Sequence, residues 1–506
     1  MTACLLGLDI GTTGARALLC DENGQVLTVA TAEYPLSTPQ PLWSEQNPED
    51  WWHGACEALR SVVAQAGVAP EQIAGLGLTG QMHGSVFLDE HDQVIRPALL
   101  WNDQRTAAEC AEITQRVGAE RLIAIAGNPA LTGFQAPKIL WLRNHEPEQY
   151  ARVAQVLLPK DYIRRRLTGI SATDAADAAG TLLLDLRRRD WSDDILTALD
   201  IPRAWLPRVF EGPDVTGGLT PSVAADLGLP AELPVIAGGG DNAAAAVGAG
   251  IVQPGIVSSS IGTSGVIFAH ADEIALDPQG RLHTFCHSVP GRYHLMAVTL
   301  AAGGSFRWFR DVLRAVTGQH LSYDDLTTLA ASVPPGAEGL IFLPYLSGER
   351  TPHLDPLARG AFIGLTARHT LAHMARAVME GVVFSLREGL DIMRSLGIVP
   401  GQIRATGGGG KSPLWRQLQA DIYATEVATL AAEEGPAYGA ALLAGVGAGV
   451  FRDIDEAVAR CVTLTATTTP DDRAVARYDE VYAVYRDMYA TLRTSMHQLA
   501  HLAISA

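Results

Sequence analysis

No two cysteines in this chain stand at C-x-x-C spacing, although six are present (Cys4, Cys20, Cys56, Cys110, Cys286 and Cys461). That spacing carries structural zinc and dithiol redox chemistry, so neither is indicated. The six read as buried, reduced thiols. A membrane span is lacking too. The longest small-apolar run, Ala437–Phe451, falls short of the roughly 20 residues that a bilayer helix needs, and its glycines suit close helix packing instead. The N-terminus has no basic region and enters strand-like sequence at once, so no signal peptide is expected and the chain reads as cytoplasmic. Basic excess is also absent. The net charge is −17, which argues against nucleic acid as a partner while leaving room for a local basic pocket. No long low-complexity linker interrupts the chain. With 506 residues, 47% of them hydrophobic, it has material for two or three well-packed domains.

Glycine is what the sequence has in plenty, 50 residues, many in clusters. Leu5–Ile10 and Ala15–Cys20 read as strands around the turn GTTG, Gly11–Gly14. Asn23-Gly24 is a hairpin signal, so Gln25–Ala32 should be a third strand. Asn47 can cap a helix with Pro48 at its first position and Gly67 at its stop. A strand at Ile73–Thr79, a turn at Gln81–Gly84 and a hairpin pattern over Ser85–Ile95 follow. Residues 105–230 are richer in helical patterns, including a helix over Leu158–Gly169. Near Pro234 the opening theme returns. Pro234–Gly250 reads as strand, glycine turn and helix, and Gly255–Ala269 as strand, GTSG turn and strand. A helix over Leu371–Leu396 should bury a stripe of Met374, Val378, Val382, Leu386, Leu390 and Met393. A glycine turn and helix follow at Ala405–Ala424, and a long amphipathic helix runs from about Asp471. A strand, Gly-Thr turn and strand thus occur once in each half, which suggests two α/β lobes of related design.

Four constellations can carry chemistry. DIGTTGAR, Asp9–Arg16, offers glycines that let a phosphate approach backbone N–H groups, hydroxyls at Thr12 and Thr13, and charge at Arg16. Asp9 at the strand end can hold Mg²⁺ through water. An ordinary hairpin turn would carry the same residues. SSSIGTSG, Ser258–Gly265, supplies Thr263 for a second grip on phosphates. In GGGDNA, Gly238–Ala243, three glycines leave room for a ligand, and Asp241 can either accept a proton from an attacking hydroxyl or merely cap a helix. Gln81, His83, Trp101, Asn102, Asp103 and Arg105 mix polar and aromatic groups of the kind that read sugar hydroxyls; Trp43 and Glu45 either join them or pack.

Two glycine motifs point elsewhere. GLGLTG, Gly75–Gly80, fits G-x-G-x-x-G but leads into a hairpin rather than a helix, so a dinucleotide fold is not expected. ATGGGGKS, Ala405–Ser412, approximates a P-loop, but Pro413 follows at once and no acidic strand partner is evident. Gly408 and Gly409 suit close approach of an adenine and ribose.

Taken in order, PLWSEQ (Pro41–Gln46), GQMHG (Gly80–Gly84), LLWNDQR (Leu99–Arg105), LLPKDY (Leu157–Tyr162), AGGGDNAA (Ala237–Ala244), PYLSGERTPH (Pro344–His353) and the run Gly360–Gly381 resemble the FGGY carbohydrate kinases over nearly the whole chain. The resemblance implies an α/β fold of two actin-like, ribonuclease H-like lobes with an ATP and sugar cleft between them. The sugar-side lobe would span 1–250 and the nucleotide-side lobe 251–506. It implies ATP and Mg²⁺ as cofactors, D-xylulose as the expected acceptor, and a homodimer as is common among relatives. Asp241 matches the catalytic base and Asp9 the metal-associated aspartate. Met82 and His83 match the sugar-contacting pair, with Asp103 and Asn242 beside them. Thr12, Thr13 and Thr263 match phosphate contacts, and Gly303, Gly408 and Gly409 the nucleotide side. Two positions depart from the family pattern: Gln135, where an effect on local capping is expected, and Lys411 in GGGGKS. Ribulose, other ketoses and glycerol are alternative acceptors. An actin- or Hsp70-like ATPase and a non-catalytic sugar sensor are the rival classes.

Overall fold

The computed structural model describes residues 3–318, 321–431 and 435–504. The strands that build its two main sheets are β1 Cys4–Ile10, β2 Gly14–Asp21, β3 Val26–Glu33, β4 Ile73–Gly80, β5 Val215–Gly218, β6 Pro234–Ile236 and β7 Gly239–Gly240 in the first. In the second they are β8 Ile256–Ile261, β9 Gly265–Ala271, β10 His283–Cys286, β11 Tyr293–Thr299, β12 Gln402–Gly407, β13 Val427–Leu430 and β14 Leu464–Thr468. The helices that matter below are α1 Pro48–Ala66, α2 Gln135–His145, α3 Pro159–Thr168, α4 Asp241–Gly248, α5 Gly303–Thr317, α6 Leu371–Ser395, α7 Pro413–Tyr423, α8 Gly435–Gly447 and α9 Asp472–Ile504.

The first sheet runs β5-β6-β4-β1-β2-β3, with β7 also on β4. The second runs β14-β13-β12-β8-β9-β11-β10. Their pairings follow one scheme. A hairpin (β1–β2; β8–β9) is antiparallel, and its first strand takes a parallel neighbour (β4; β12). The Gly-Thr turn found twice in the sequence is the hairpin tip in both.

Local chemistry accounts for these elements. Asn47 caps α1, its side chain accepting from the Glu49 N–H, and Gly67 ends the helix in the left-handed region at φ 65°. In β1 alternate residues face opposite ways, as a pleat requires. Leu6, Leu8 and Ile10 join Trp51 and Leu59 of α1 in one core, while Leu5 joins Ala437 and Ala441 of α8 in another. α8 comes late in the chain yet lies on the first sheet. Glycine makes this approach possible: a Cβ at Gly7 would lie 1.9 Å from the Ala437 carbonyl oxygen, and one at Gly77 1.9 Å from that of Ala440. GLGLTG is therefore a strand pared down to admit a helix.

The stripe expected on α6 is too narrow. The helix is buried nearly all round, Ala375, Met379 and Val383 included, while Met374 is only half-buried. It is packed between the second sheet and helices α5, α7 and α9, so a one-sided pattern was never required of it. Tyr478, Tyr482 and Tyr485 of α9 dock against Phe384 of α6.

Candidate active site

Three strand ends meet in register. Asp9 of β1 pairs with Thr79 of β4, and Thr79 in turn with Gly239 of β7. Asp241 follows directly on Gly240, so the two aspartates stand at the carboxyl ends of parallel strands, where open α/β sheets bind ligands. The glycines before Asp241 serve protein packing rather than ligand access, contrary to the expectation. A Cβ on Gly238 would lie 1.7 Å from the Leu78 oxygen, one on Gly239 2.0 Å from the Ser288 hydroxyl, and one on Gly240 2.7 Å from Met82. They let β7 and the start of α4 sink between β4 and Met82, which brings Asp241 to the cavity wall.

Burial pushes the Asp241 carboxyl up to about 6, against the pull of Asn242, whose backbone and side-chain N–H groups both donate to Oδ1 at 2.7 and 2.8 Å. Oδ2 has no partner among the described residues. Asp9 is pushed up to about 7, by burial first and by the charge of Asp241 second, with Arg16 opposing. Its Oδ1 is buried without a hydrogen bond. Two carboxyls that repel each other, one with an orphaned oxygen, form a donor set suited to a hard divalent cation. Among the described residues no cluster of three or more metal-ligating side chains exists.

A cavity of about 250 Å³ opens beside Asp241, lined by Met82, His83, Trp101, Asp241 and Asn242 from the first half of the chain. The second half contributes Ser264, His283, Phe285 and Arg350 among others. His83 sits at φ 68°, an uncommon conformation for a residue with a Cβ. Its Nδ1 lies 2.6 Å from the Gly180 carbonyl, so Nδ1 carries the proton and Nε2 remains an acceptor. Burial holds the ring neutral, with its pKa near 3. Behind it, Lys138 of α2 donates from Nζ to the carbonyls of His83 and Gly133. Gln135 reaches further than local capping, for its Nε2 donates to Gly84 O at 2.9 Å and so supports the same turn.

Asp103 is not part of this cavity, which corrects the expectation for it. Its carboxylate is fully buried, accepts from Ser44 N at 2.7 Å and is clamped by Arg105 at 2.6–3.0 Å. Arg105 also pairs with Glu45 and lies over the Trp43 ring. All four side chains pack.

A second cleft, of about 470 Å³, is walled by Gly262 and Thr263 of the β8–β9 turn, Gly303 and Gly304 at the start of α5, and Gly408, Gly409, Lys411 and Ser412 after β12. Phe306, Tyr323 and Trp415 form its apolar part. A Cβ on Gly303 would lie 2.5 Å from Gly262 O, and one on Gly304 2.8 Å from Thr263 O, so glycine lets the helix start press on the turn. Thr12, Thr13 and Arg16 lie outside this wall. Gln46 and Gln81 hold their turn by donating to Thr12 O at 2.7 Å and Gly11 O at 3.3 Å, and Trp101 Nε1 donates to Thr12 Oγ1 at 3.0 Å. The first turn is therefore tied through Trp101 to the wall of the smaller cavity. Sequence reasoning missed His283, Phe285 and Ser264 as wall residues and gave no role to Arg350. The first two lie in an apolar strand pattern with nothing to set them apart, and Arg350 had only its place in the motif PYLSGERTPH.

Two sheets built on one hairpin scheme, a glycine-walled cleft and a second cavity with a buried carboxylate in its wall define a phosphotransferase of actin-like fold. The chain belongs to the FGGY family of carbohydrate kinases: the family's N-terminal domain matches residues 4–248 and its C-terminal domain residues 257–448. It is 42% identical to the xylulose kinase of Lactococcus lactis subsp. lactis (strain IL1403), over 98% of both chains. The crystal structure of xylulose kinase from Rhodospirillum rubrum superposes with a TM-score of 0.92 at 33% identity, covering 98% of this chain and 100% of that one. Gluconate kinase from Lactobacillus acidophilus also superposes at 0.92, with 27% identity over 99% of this chain and 100% of that one. The membership decides for a sugar kinase over the partner-moving ATPase. The equal scores show that backbone shape alone does not separate acceptors.

Proposed function

We propose that this protein transfers the γ-phosphoryl group of ATP to D-xylulose, giving D-xylulose 5-phosphate. The observation that carries this reading is Asp241, whose carboxyl stands in the wall of a cavity sized for a small sugar and at the carboxyl end of the strand array. Identity along the full length to xylulose kinases supplies the acceptor.

The residues act by position and charge. ATP lies in the glycine-walled cleft with its phosphates at the Thr263 turn and its base against Phe306, Tyr323 and Trp415. D-Xylulose lies in the smaller cavity, where His83 Nε2 accepts from a hydroxyl and Asn242 donates to another. Asp241 Oδ2 accepts the C5 hydroxyl proton as that oxygen bonds to the γ-phosphorus, and the bond to the bridging oxygen breaks with ADP keeping the electron pair. Thr12, Thr13 and Arg16, on the turn that Trp101 ties to this cavity, meet the phosphates as they approach the sugar. Mg²⁺, when bound, supplies charge neutralisation, and Asp9 with its orphaned oxygen is the residue to hold it. Lobe closure over both ligands keeps water from the γ-phosphate.

The division near residue 250 belongs to this proposal, with α8 as the part of the later half that crosses to the earlier sheet. So does a homodimer, and so does a cytoplasmic setting, where ATP is at hand and free thiols stay reduced. Among the described residues, no helix is long and apolar enough to cross a membrane.

The test is ADP release coupled to a reporter over a panel of pentuloses, hexoses, gluconate and polyols. D-Xylulose should give the highest kcat/KM, by about tenfold or more over ketoses differing in one hydroxyl, the scale on which buried hydrogen bonds discriminate. ADP release that is indifferent to every sugar would end the proposal.

A further inference from the structure

The cavity that holds the acceptor contains a cation with nothing to bind. Arg350 lines it, yet its guanidinium donates to no described residue, pairs with no carboxylate and stacks on no ring. Its neighbour Glu349 does not serve as counter-ion by hydrogen bonding. Glu349 Oε1 is taken by the Leu300 and Arg350 backbone N–H groups at 2.9 and 2.7 Å, and Oε2 is buried without a partner. Burial also pushes the Glu349 carboxyl up to about 8, so the acid is mostly neutral at pH 7. The Arg350 charge reaches both cavity histidines, where it adds to the burial that keeps His83 and His283 unprotonated.

The backbone on both sides of Arg350 is pinned. Glu349 exchanges both backbone bonds with Asp355, at 2.8 and 2.9 Å. Thr351 N donates to Val298 O at 2.9 Å, and Thr351 Oγ1 accepts from Val298 N at 3.1 Å. Val298 and Thr299 of β11 pair with Val266 and Gly265 of β9. Arg350 therefore stands level with the end of the β8–β9 turn, and Ser264 of that turn lines the same cavity. A fixed backbone that presents an unpaired, planar five-donor fork is a built anion site. A ketose is neutral. The anions that enter this cavity are the phosphoryl group in transit and the phosphate ester it becomes.

We infer that Arg350 is a further catalytic residue, whose guanidinium receives the oxygens of the transferring phosphoryl group from the sugar side and holds the phosphate of the product. The inference rests on the reading above that this cavity takes the acceptor sugar. Arg350 neither gives nor takes a proton. Its two N–H forks face charge that is absent when the sugar alone is bound, so it contributes to kcat and to product affinity but not to sugar affinity.

The experiment compares wild type with R350Q and R350K, by steady-state kinetics and by calorimetric titration of D-xylulose and of D-xylulose 5-phosphate without nucleotide. R350Q is expected to lose about 10²-fold or more in kcat, the scale of removing one preorganised donor group. Its Kd for D-xylulose should stay within about threefold of wild type, while its Kd for D-xylulose 5-phosphate rises about tenfold or more. R350K keeps the charge without the fork and should fall between the two. Turnover of R350Q near wild type overturns the inference, and so does equal weakening of sugar and sugar phosphate, which would make Arg350 a reader of sugar hydroxyls. If R350Q does not fold, R350K decides by the same two criteria. A wild-type enzyme inactive on every sugar would instead overturn the reading of the cavity, whereas an active one with an indifferent Arg350 overturns this inference alone.

Discussion

Asp241, the proposed base, shows how surroundings tune a common side chain. Burial raises its carboxyl and the two Asn242 bonds restrain the rise, so it titrates near 6. The base form is the ionised one, present above that value and lost as pH falls through it. The kcat/KM profile should therefore drop on its acid side with an apparent pKa near 6. D241N should cost at least about 10²-fold in kcat and remove that acid limb, while KM for ATP moves little. A profile flat down to pH 4.5, or an Asn variant with wild-type turnover, would take the role from Asp241. At this scale the sequence told part of the story. Met82, His83, Asp241 and Asn242 could be picked out as wall residues of one cavity because each lies in a short motif at a turn. Asp103 misled because a carboxylate in a polar, aromatic motif looks the same whether it faces a sugar or Arg105. Its full burial against Ser44 and Arg105 depends on residues that the motif does not contain.

Elements were more legible than sites where local chemistry decides them. Asn47, Pro48 and Gly67 specify α1 with its ends, and Asn23-Gly24 specifies the β2–β3 hairpin, with Gly24 at φ 81°. What single segments do not reveal is the partner that made a residue necessary. The sequence excluded a cofactor loop at Gly75 and Gly77 but offered no reason for the glycines, because that reason lies in α8, hundreds of residues away. That reason yields a prediction. Gly77→Val puts a branched side chain where the first added carbon already lies 1.9 Å from the Ala440 oxygen. Backbone cannot give way as a flexible side chain does. Overpacking on the order of 1–3 kcal/mol or more should follow, seen as a Tm lowered by several degrees in calorimetry. An unchanged Tm would mean that α8 does not sit as tightly on β4 as described.

At the scale of the whole molecule, the repeated Gly-Thr hairpin foretold two related sheets, and the shared pairing of an antiparallel hairpin with a parallel neighbour on its first strand is what that repeat became. The crossing of α8 could not be foretold, since nothing in a small-residue helix says which sheet it will meet. Its position makes the two halves mechanically one. α4 begins with Asp241 and rests on α8 through Gly439, where an added Cβ would lie 1.7 Å from the Ala244 oxygen. Ala244 is within one turn of the Asp241 carboxylate. Gly439→Ala must therefore push α4 away from α8 by about 1 Å or more, and a shift of that size in a reacting group costs on the order of 10²-fold. The variant should fold, as circular dichroism would show, and bind ATP at the far cleft with nearly unchanged affinity, because no residue of that cleft lies on α4. Its kcat on D-xylulose should fall toward that of D241N. If kcat instead stays near wild type while the protein remains folded, the seating of α4 on α8 does not set the position of the base, and the two lobes are coupled through some other contact.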